Sequence, residues 1–305
     1  MAGGVINTGS HPKALWPGVY DFWGQIYNEH PEEYTDLFDV HESGQAYEEE
    51  VQVTGFGMAQ VKPEGQPVSY DSEVQGPVTR YVHVAYALGF IVTYEEKKDN
   101  LYEKLAMRRS EANAFSMRQT IENIAAGFYN RAFNSSYTLA DGQPVISTAH
   151  PFTTGGSFSN ALSPAADLSE SALEDICIQL MGFTTDRGLL VNVMPQSLHV
   201  PRAEWFNANR ILKSVLQNDT ANNAVNVLKA TNAFPKGIKI NHYFTAPHAW
   251  FVRTNALNGL RFFWRERPDL SQDNDFDTKN AKAAAYMRFS LGMTDPRAIA
   301  GSNGP

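Results

Sequence analysis

The residues able to do chemistry are few, and their spacing serves almost none of it. Eight histidines stand at positions 11, 30, 41, 83, 150, 199, 242 and 248 without an HExxH pair. The single cysteine, Cys177, excludes every cysteine-based zinc spacing and any internal disulfide. There is no GxSxG elbow and no Walker-type phosphate loop, and Gly55 and Gly57 lack the third glycine of a dinucleotide fingerprint. Asp273, Asp275 and Asp277 open like a calcium loop. Thr278 stands where that loop needs glycine, however, and Ala284 where it needs a bidentate glutamate, so the run reads as a solvated acidic turn. One set remains: Asp141, Ser147 and His150, a carboxylate, a hydroxyl and an imidazole in one loop. Acyl transfer needs its serine on a tight elbow, and DGQP and HP are ordinary loop chemistry, so nothing presents Ser147 to a substrate. Neither a catalytic residue nor a cofactor or metal is expected.

Other candidates have blander roles. Cys177 falls on the apolar face of an expected helix, where a free cysteine is a small buried hydrophobe. Arg108 and Arg109, with Arg118 beyond them, form a basic strip that either meets an acidic neighbour or DNA or solvates the outside of a long helix. With 25 Lys+Arg against 33 Asp+Glu the net charge is −8, which opposes the phosphate attraction of a nucleic-acid binder. The longest apolar run, Val84 to Val92, falls far short of the ~20 residues that span a bilayer. The opening MAGGVINTGS has no signal-peptide pattern, and one cysteine makes no demand on an oxidising compartment, so folding in a cytosol is expected.

The elements that must position these residues follow from pattern. Residues 1–46 mix Gly, Pro and polar residues with Trp16, Tyr20, Phe22, Trp23, Tyr27, Tyr34 and Phe38. Three prolines break any long helix, although 18–28 has room for a short one, so this reads as an extended arm lying on its own domain or on a second subunit. Residues 47–94 hold two β-rich stretches, Glu49 to Gln60 and Val78 to Tyr94, around the turn-rich KPEGQPVSYDSEVQGP, which reads as one long hairpin. Glu95 and Glu96 suit a helix start. From 100 to 134 there is no proline and apolar residues recur at helical spacing, with a change of phase between Phe115 and Ile121 that suggests a break or a change of neighbour. A loop follows to Leu168, then a capped helix from Ser169, a buried-strand run LLVNVMP continuing to SLHVP, and a helix through Trp205 to Val215. IKINHYF, AWFVRT, LRFFWRERP and AAAYMRFSLGM read as late strands. The class is α+β.

That order of arm, hairpin, long helix, α/β unit and late strands resembles the HK97-like major capsid proteins of tailed bacteriophages. The chain is similar above all to the Mu-like major head subunit group, through FNSSYTLADGQPVISTAHPFTTGGSFSN at 133–160, LSESALEDICIQL, DRGLLVNVMPQSLHVP at 186–201, RILKS at 210–214 and the terminal RFSLGMTDPRAIAG. The likeness spans about 45–301, and its most specific part is the ordered set DGQP, STAHP, SN, LLVNVMP and VP. It implies an N-terminal arm at 1–46, an extended hairpin loop and its base at 47–94, a spine helix and peripheral domain at 95–165, an axial domain at 166–250, and returning peripheral strands with a C-terminal tail at 251–305. It implies a structural, non-enzymatic subunit that self-assembles through pentamers and hexamers into an icosahedral shell around double-stranded DNA bound without sequence specificity. The partners implied are copies of itself and separate scaffolding, portal and decoration proteins, with no membrane; the location implied is the virion, after assembly in the host cytoplasm. Trp16, Phe22, Trp23, Phe56, Met58, Lys62, Arg108 and Arg109 are the expected inter-subunit contacts. An encapsulin-like compartment enclosing a cargo enzyme is the alternative on the same fold. A hydrolase using Asp141, Ser147 and His150 is the alternative outside it.

Overall fold

The computed structural model describes residues 17–95, 102–217 and 224–304. The first described element is helix α1 (Pro17–Glu29), whose proline sits at the first helical position, where a missing N–H costs nothing. A one-turn helix α2 (Tyr34–Leu37) follows. The short helix for which 18–28 has room is therefore present, started by Pro17 and followed by Pro31, and residues 1–16 lie outside the described residues. Strand β1 (Asp39–Glu42) leads to a two-stranded ribbon of β2 (Tyr47–Val53) and β3 (Gln75–Val82), antiparallel, with Tyr47 opposite Val82. Between them, residues 54–74 form a projecting loop without strand structure.

Strand β4 (Val84–Val92) corrects the single-hairpin expectation: it leaves the ribbon at His83 and pairs instead with β11 (Ala281–Met293). The first sheet has the order β1, β10 (Leu260–Asn274), β11, β4, with β1 parallel to β10 and the rest antiparallel. Its inner face is aromatic. Phe262 stacks on Phe289, Trp264 meets Phe289 edge-on, and Tyr34 and Phe38 close over them. Burying each such ring contributes on the order of 2 kcal/mol, so this cluster dominates the first core.

Helix α3 (Tyr102–Asn130) runs along this sheet as one continuous rod of about 43 Å. It has no break near 115–121. Its buried face carries Ser110, Asn113, Arg118 and Glu122 beside Ala114, Met117, Ile121 and Ala125, while Ala112 and Phe115 face outward. Polar residues on the inner face produced the apparent change of phase. Of the expected start at Glu95–Glu96 only Glu95 is among the described residues, and Trp16 lies outside them.

After a short two-stranded element, β5 (His150–Pro151) with β6 (Ser157–Phe158), the second unit begins with α4 (Glu170–Met181), capped by Ser169 accepting from the Ala172 N–H at 3.2 Å. LLVNVMP is not a strand: Leu190 is exposed and the stretch turns back on itself through the Thr185–Leu189 backbone pair, so β7 (Pro195–Pro201) starts only at the proline. Helices α5 (Trp205–Lys213) and α6 (Val227–Ala230) follow, then β8 (Ile238–Asn241), β9 (Trp250–Thr254) and, at the C-terminus, β12 (Ile299–Ser302). The second sheet has the order β12, β9, β7, β8. A boundary at 250 would cut β9, and the C-terminal tail supplies β12 to the second sheet. The chain thus crosses between units at 166, 255, 294 and the intervening strands of β10 and β11 belong to the first. Tyr129 at the end of α3 joins the two, edge-on to Phe251 at 5.2 Å and tilted against His199 at 6.3 Å.

Candidate assembly surfaces

Asp141, Ser147 and His150 are brought together, but as a fastening. His150 is fully buried, with Nδ1 2.6 Å from Asp141 Oδ2 and Nε2 3.1 Å from Asn160 Oδ1. Ser147 donates its hydroxyl to Gln143 Oε1 at 3.1 Å instead of to the imidazole, so no base activates it. Asn160 is the centre. Its amide nitrogen donates to the carbonyls of Val145 (2.9 Å), Pro296 (3.1 Å) and Ile299 (3.1 Å), and its Oδ1 also accepts the Ser147 N–H at 2.8 Å. The backbone completes the fastening: Gly301 N–H reaches Asn160 O at 3.1 Å, and Leu162 N–H reaches Gly301 O at 3.1 Å. The ordered residues of DGQP, STAHP and SN thus tie the 135–162 loop to the C-terminal strand. Sequence reasoning noted SN but gave Asn160 no role; a lone asparagine carries no signal of how many carbonyls converge on it.

The projecting loop 54–74 offers the opposite surface, apolar and uncovered. Phe56 is 60% exposed, Met58 76%, Val61 93% and Tyr70 95%, with Val53 and Val68 also exposed. Lys62 stands exposed among them. The loop is nonetheless shaped: Asp71 accepts the N–H groups of Gly57 and Ser72, each at 2.8 Å, and these bonds hold its carboxyl below the usual carboxylate range. Thr54 and Val74 close its neck, the Thr54 N–H reaching Val74 O at 3.1 Å and the Val74 N–H reaching Thr54 Oγ1 at 3.0 Å. Arg187 donates to Ser72 O, and Gln52 to Thr294 O, fixing the root to the body. A run of exposed apolar residues on a fixed stem is a contact surface.

The other expected contacts divide. Trp23 belongs to this subunit's own core: it is 4% exposed, stacks on Tyr27 at 5.1 Å and donates from Nε1 to Asn113 Oδ1 at 2.9 Å. The reason is that α1 lies along α3 and presents that ring inward. Phe22 is half-buried beside it. Arg108 is exposed on α3, whereas Arg109 donates to the Ile91 carbonyl of edge strand β4 at 2.9 Å. Cys177 is buried, as its helix face requires, and burial pushes its thiol up to about 11.

Among the described residues no group of three or more His, Cys, Asp or Glu could hold a metal ion. No described helix is long and apolar enough to cross a membrane.

A family model described as "Phage capsid protein" matches residues 77–302. No curated protein sequence matches the chain. Among solved structures, the chain is similar to a virus-like particle from Pyrococcus furiosus (TM-score 0.51, 10% identity, 94% of this chain and 99% of that one). It is also similar to a structure from Mycobacterium phage Patience (TM-score 0.52, 11% identity, 97% and 88%) and to the procapsid of bacteriophage JBD30 (TM-score 0.51, 15% identity, 97% and 76%). At these identities the likeness is one of fold, and that fold is the HK97-like one.

Proposed function

Because the chain belongs to the phage capsid protein family, a family of structural and not catalytic subunits, we propose that it is the major head subunit of a tailed phage, closing into an icosahedral shell of pentamers and hexamers around double-stranded DNA. The observation that carries this is the projecting loop. A fixed stem lifts Phe56, Met58, Val61 and Tyr70 into solvent, and such a surface is completed only by another molecule. Repetition of one heterologous contact that closes by rotation gives rings, and rings give shells. Exposed Lys62 and Arg108 add polar contacts at the rim of such an interface. Phe22 and Arg109 are secondary in this scheme, since each already touches its own subunit.

The net charge of −8 fits a container that holds DNA without gripping it. Within the family we place the chain with the Mu-like head subunits, on the ordered motifs whose fastening role is described above. Separate scaffolding, portal and decoration proteins, assembly in the host cytoplasm and residence in the virion follow from this proposal. Expression of the chain alone and with its neighbouring genes, followed by light scattering and negative-stain microscopy, tests it. Closed particles, or pentamers and hexamers, are expected; a stable monomer in both preparations would overturn it.

A further inference from the structure

The N-terminal helices are held to α3 by a buried set of charges that the assembly surfaces do not use. Arg118, 1% exposed, donates from Nη1 to Glu32 Oε1 at 2.8 Å and from Nη2 to Tyr27 O at 3.1 Å, with its guanidinium 4.0 Å over the Tyr27 ring. One turn on, Glu122 is completely buried. Its Oε1 accepts the Glu33 N–H at 3.2 Å, the Tyr34 backbone N–H also faces the carboxyl and favours its charged form, and its Oε2 has no close hydrogen-bond partner. Glu33 itself holds the 242 loop, its Oε2 accepting the His242 N–H at 2.9 Å while Oε1 meets His242 Nδ1.

The charges facing Glu122 can be counted by element. Its own helix supplies Arg118; the α1–α2 connection supplies Glu32 and Glu33; α1 and α2 supply the buried hydroxyls of Tyr27 and Tyr34; the loop after β8 supplies Tyr243, and His242 through Glu33. Arg118 already serves Glu32. An ionised Glu122 would add a carboxylate, dry on one oxygen, beside a guanidinium whose Nη1 and Nη2 already serve Glu32 and the Tyr27 carbonyl and whose Nε makes no bond to it. A protonated Glu122 keeps the Glu33 bond and adds no charge.

We infer that Glu122 is a proton-controlled latch: protonated, it holds residues 17–38 down on the long helix, and ionised, it loosens them. Burial pushes the Glu122 carboxyl up to about 7 from an ordinary 4.5. The sign follows from linkage. A carboxyl raised in the docked state stabilises docking fully below its undocked value, and that stabilisation is lost as pH rises toward the docked value, here between 4.5 and about 7. The docked-to-loosened ratio should fall on the order of hundredfold across that window.

Hydrogen exchange on the full chain at pH 5, 6, 7 and 8 reads this out, as protection factors for peptides within residues 20–38 against peptides of α4, with light scattering at each pH to confirm one assembly state. The wild type should lose protection in 20–38 steeply up to about pH 7 and little above it, while α4 stays level. Glu122→Gln, which keeps the acceptor for Glu33 N–H, should be flat. His242→Asn, which removes the imidazole that Glu33 holds, should keep the slope. A flat wild-type profile overturns the latch without recourse to any variant, and so does a Glu122→Gln protein that retains the wild-type slope.

Discussion

Replacing Asn160 with alanine separates a fastening from an active site. The side chain is fully buried: its two amide N–H groups are shared among the Val145, Pro296 and Ile299 carbonyls, one of them bifurcated, and its Oδ1 accepts the Ser147 N–H and meets His150 Nε2. Each such bond contributes about 1 kcal/mol net, and a partner left dry costs more than that. Water entering the vacated space recovers part of the loss, which leaves about 3–5 kcal/mol, at the far end of the range for point mutants. Ser147→Ala loses only a hydroxyl that bonds Gln143 and receives the Ala149 N–H, about 1 kcal/mol. A catalytic arrangement predicts the reverse order of importance, with Ser147 indispensable and Asn160 accessory. Urea denaturation followed by circular dichroism measures both, as shifts in midpoint at constant slope. Comparable costs for the two variants, or an Asn160→Ala cost below about 1 kcal/mol, would refute the reasoning.

Other substitutions give equally definite expectations. Val61→Ser with Tyr70→Ser removes side chains that touch little of their own subunit, so thermal stability should stay within about 0.5 kcal/mol while particle formation in light scattering falls sharply. Gly301→Ala places a Cβ 2.6 Å from the Trp250 carbonyl in the β12–β9 pair, so it should cost about 2–3 kcal/mol and lower the melting temperature of the second unit. Cys177, buried and with its thiol raised, should resist iodoacetamide at pH 8 in the folded chain and react fully in urea, as mass spectrometry would show.

The parts of this fold that were readable in the sequence are those where local pattern and final environment agree. Ser169 before an apolar helical stripe marked α4, and the alternation in AAAYMRFSLGM marked β11. Misreadings arose where tertiary partners overrule local pattern. Val84 to Val92 is a strand in either arrangement, and only the distant β11 decides which sheet takes it. The stripe on α3 seemed to change phase because Asn113, Arg118 and Glu122 are polar residues on its inner face, paid for by partners some 85 to 90 positions away in sequence or by β4 carbonyls, such as Leu88 O for Asn113. Trp23 looked like a residue seeking another subunit for the same reason, since its bed is α3. The projecting loop was legible through its turn formers, and its exposed apolar residues stood out because no helical or strand period explained them.

The most direct measurement is a cryo-electron microscopy reconstruction of particles assembled from this chain. The account predicts a closed shell in which Phe56, Met58, Val61 and Tyr70 of each subunit are covered by a neighbouring copy, while Asn160 keeps its carbonyl partners within its own subunit. A shell in which those four side chains remain open to solvent would contradict it.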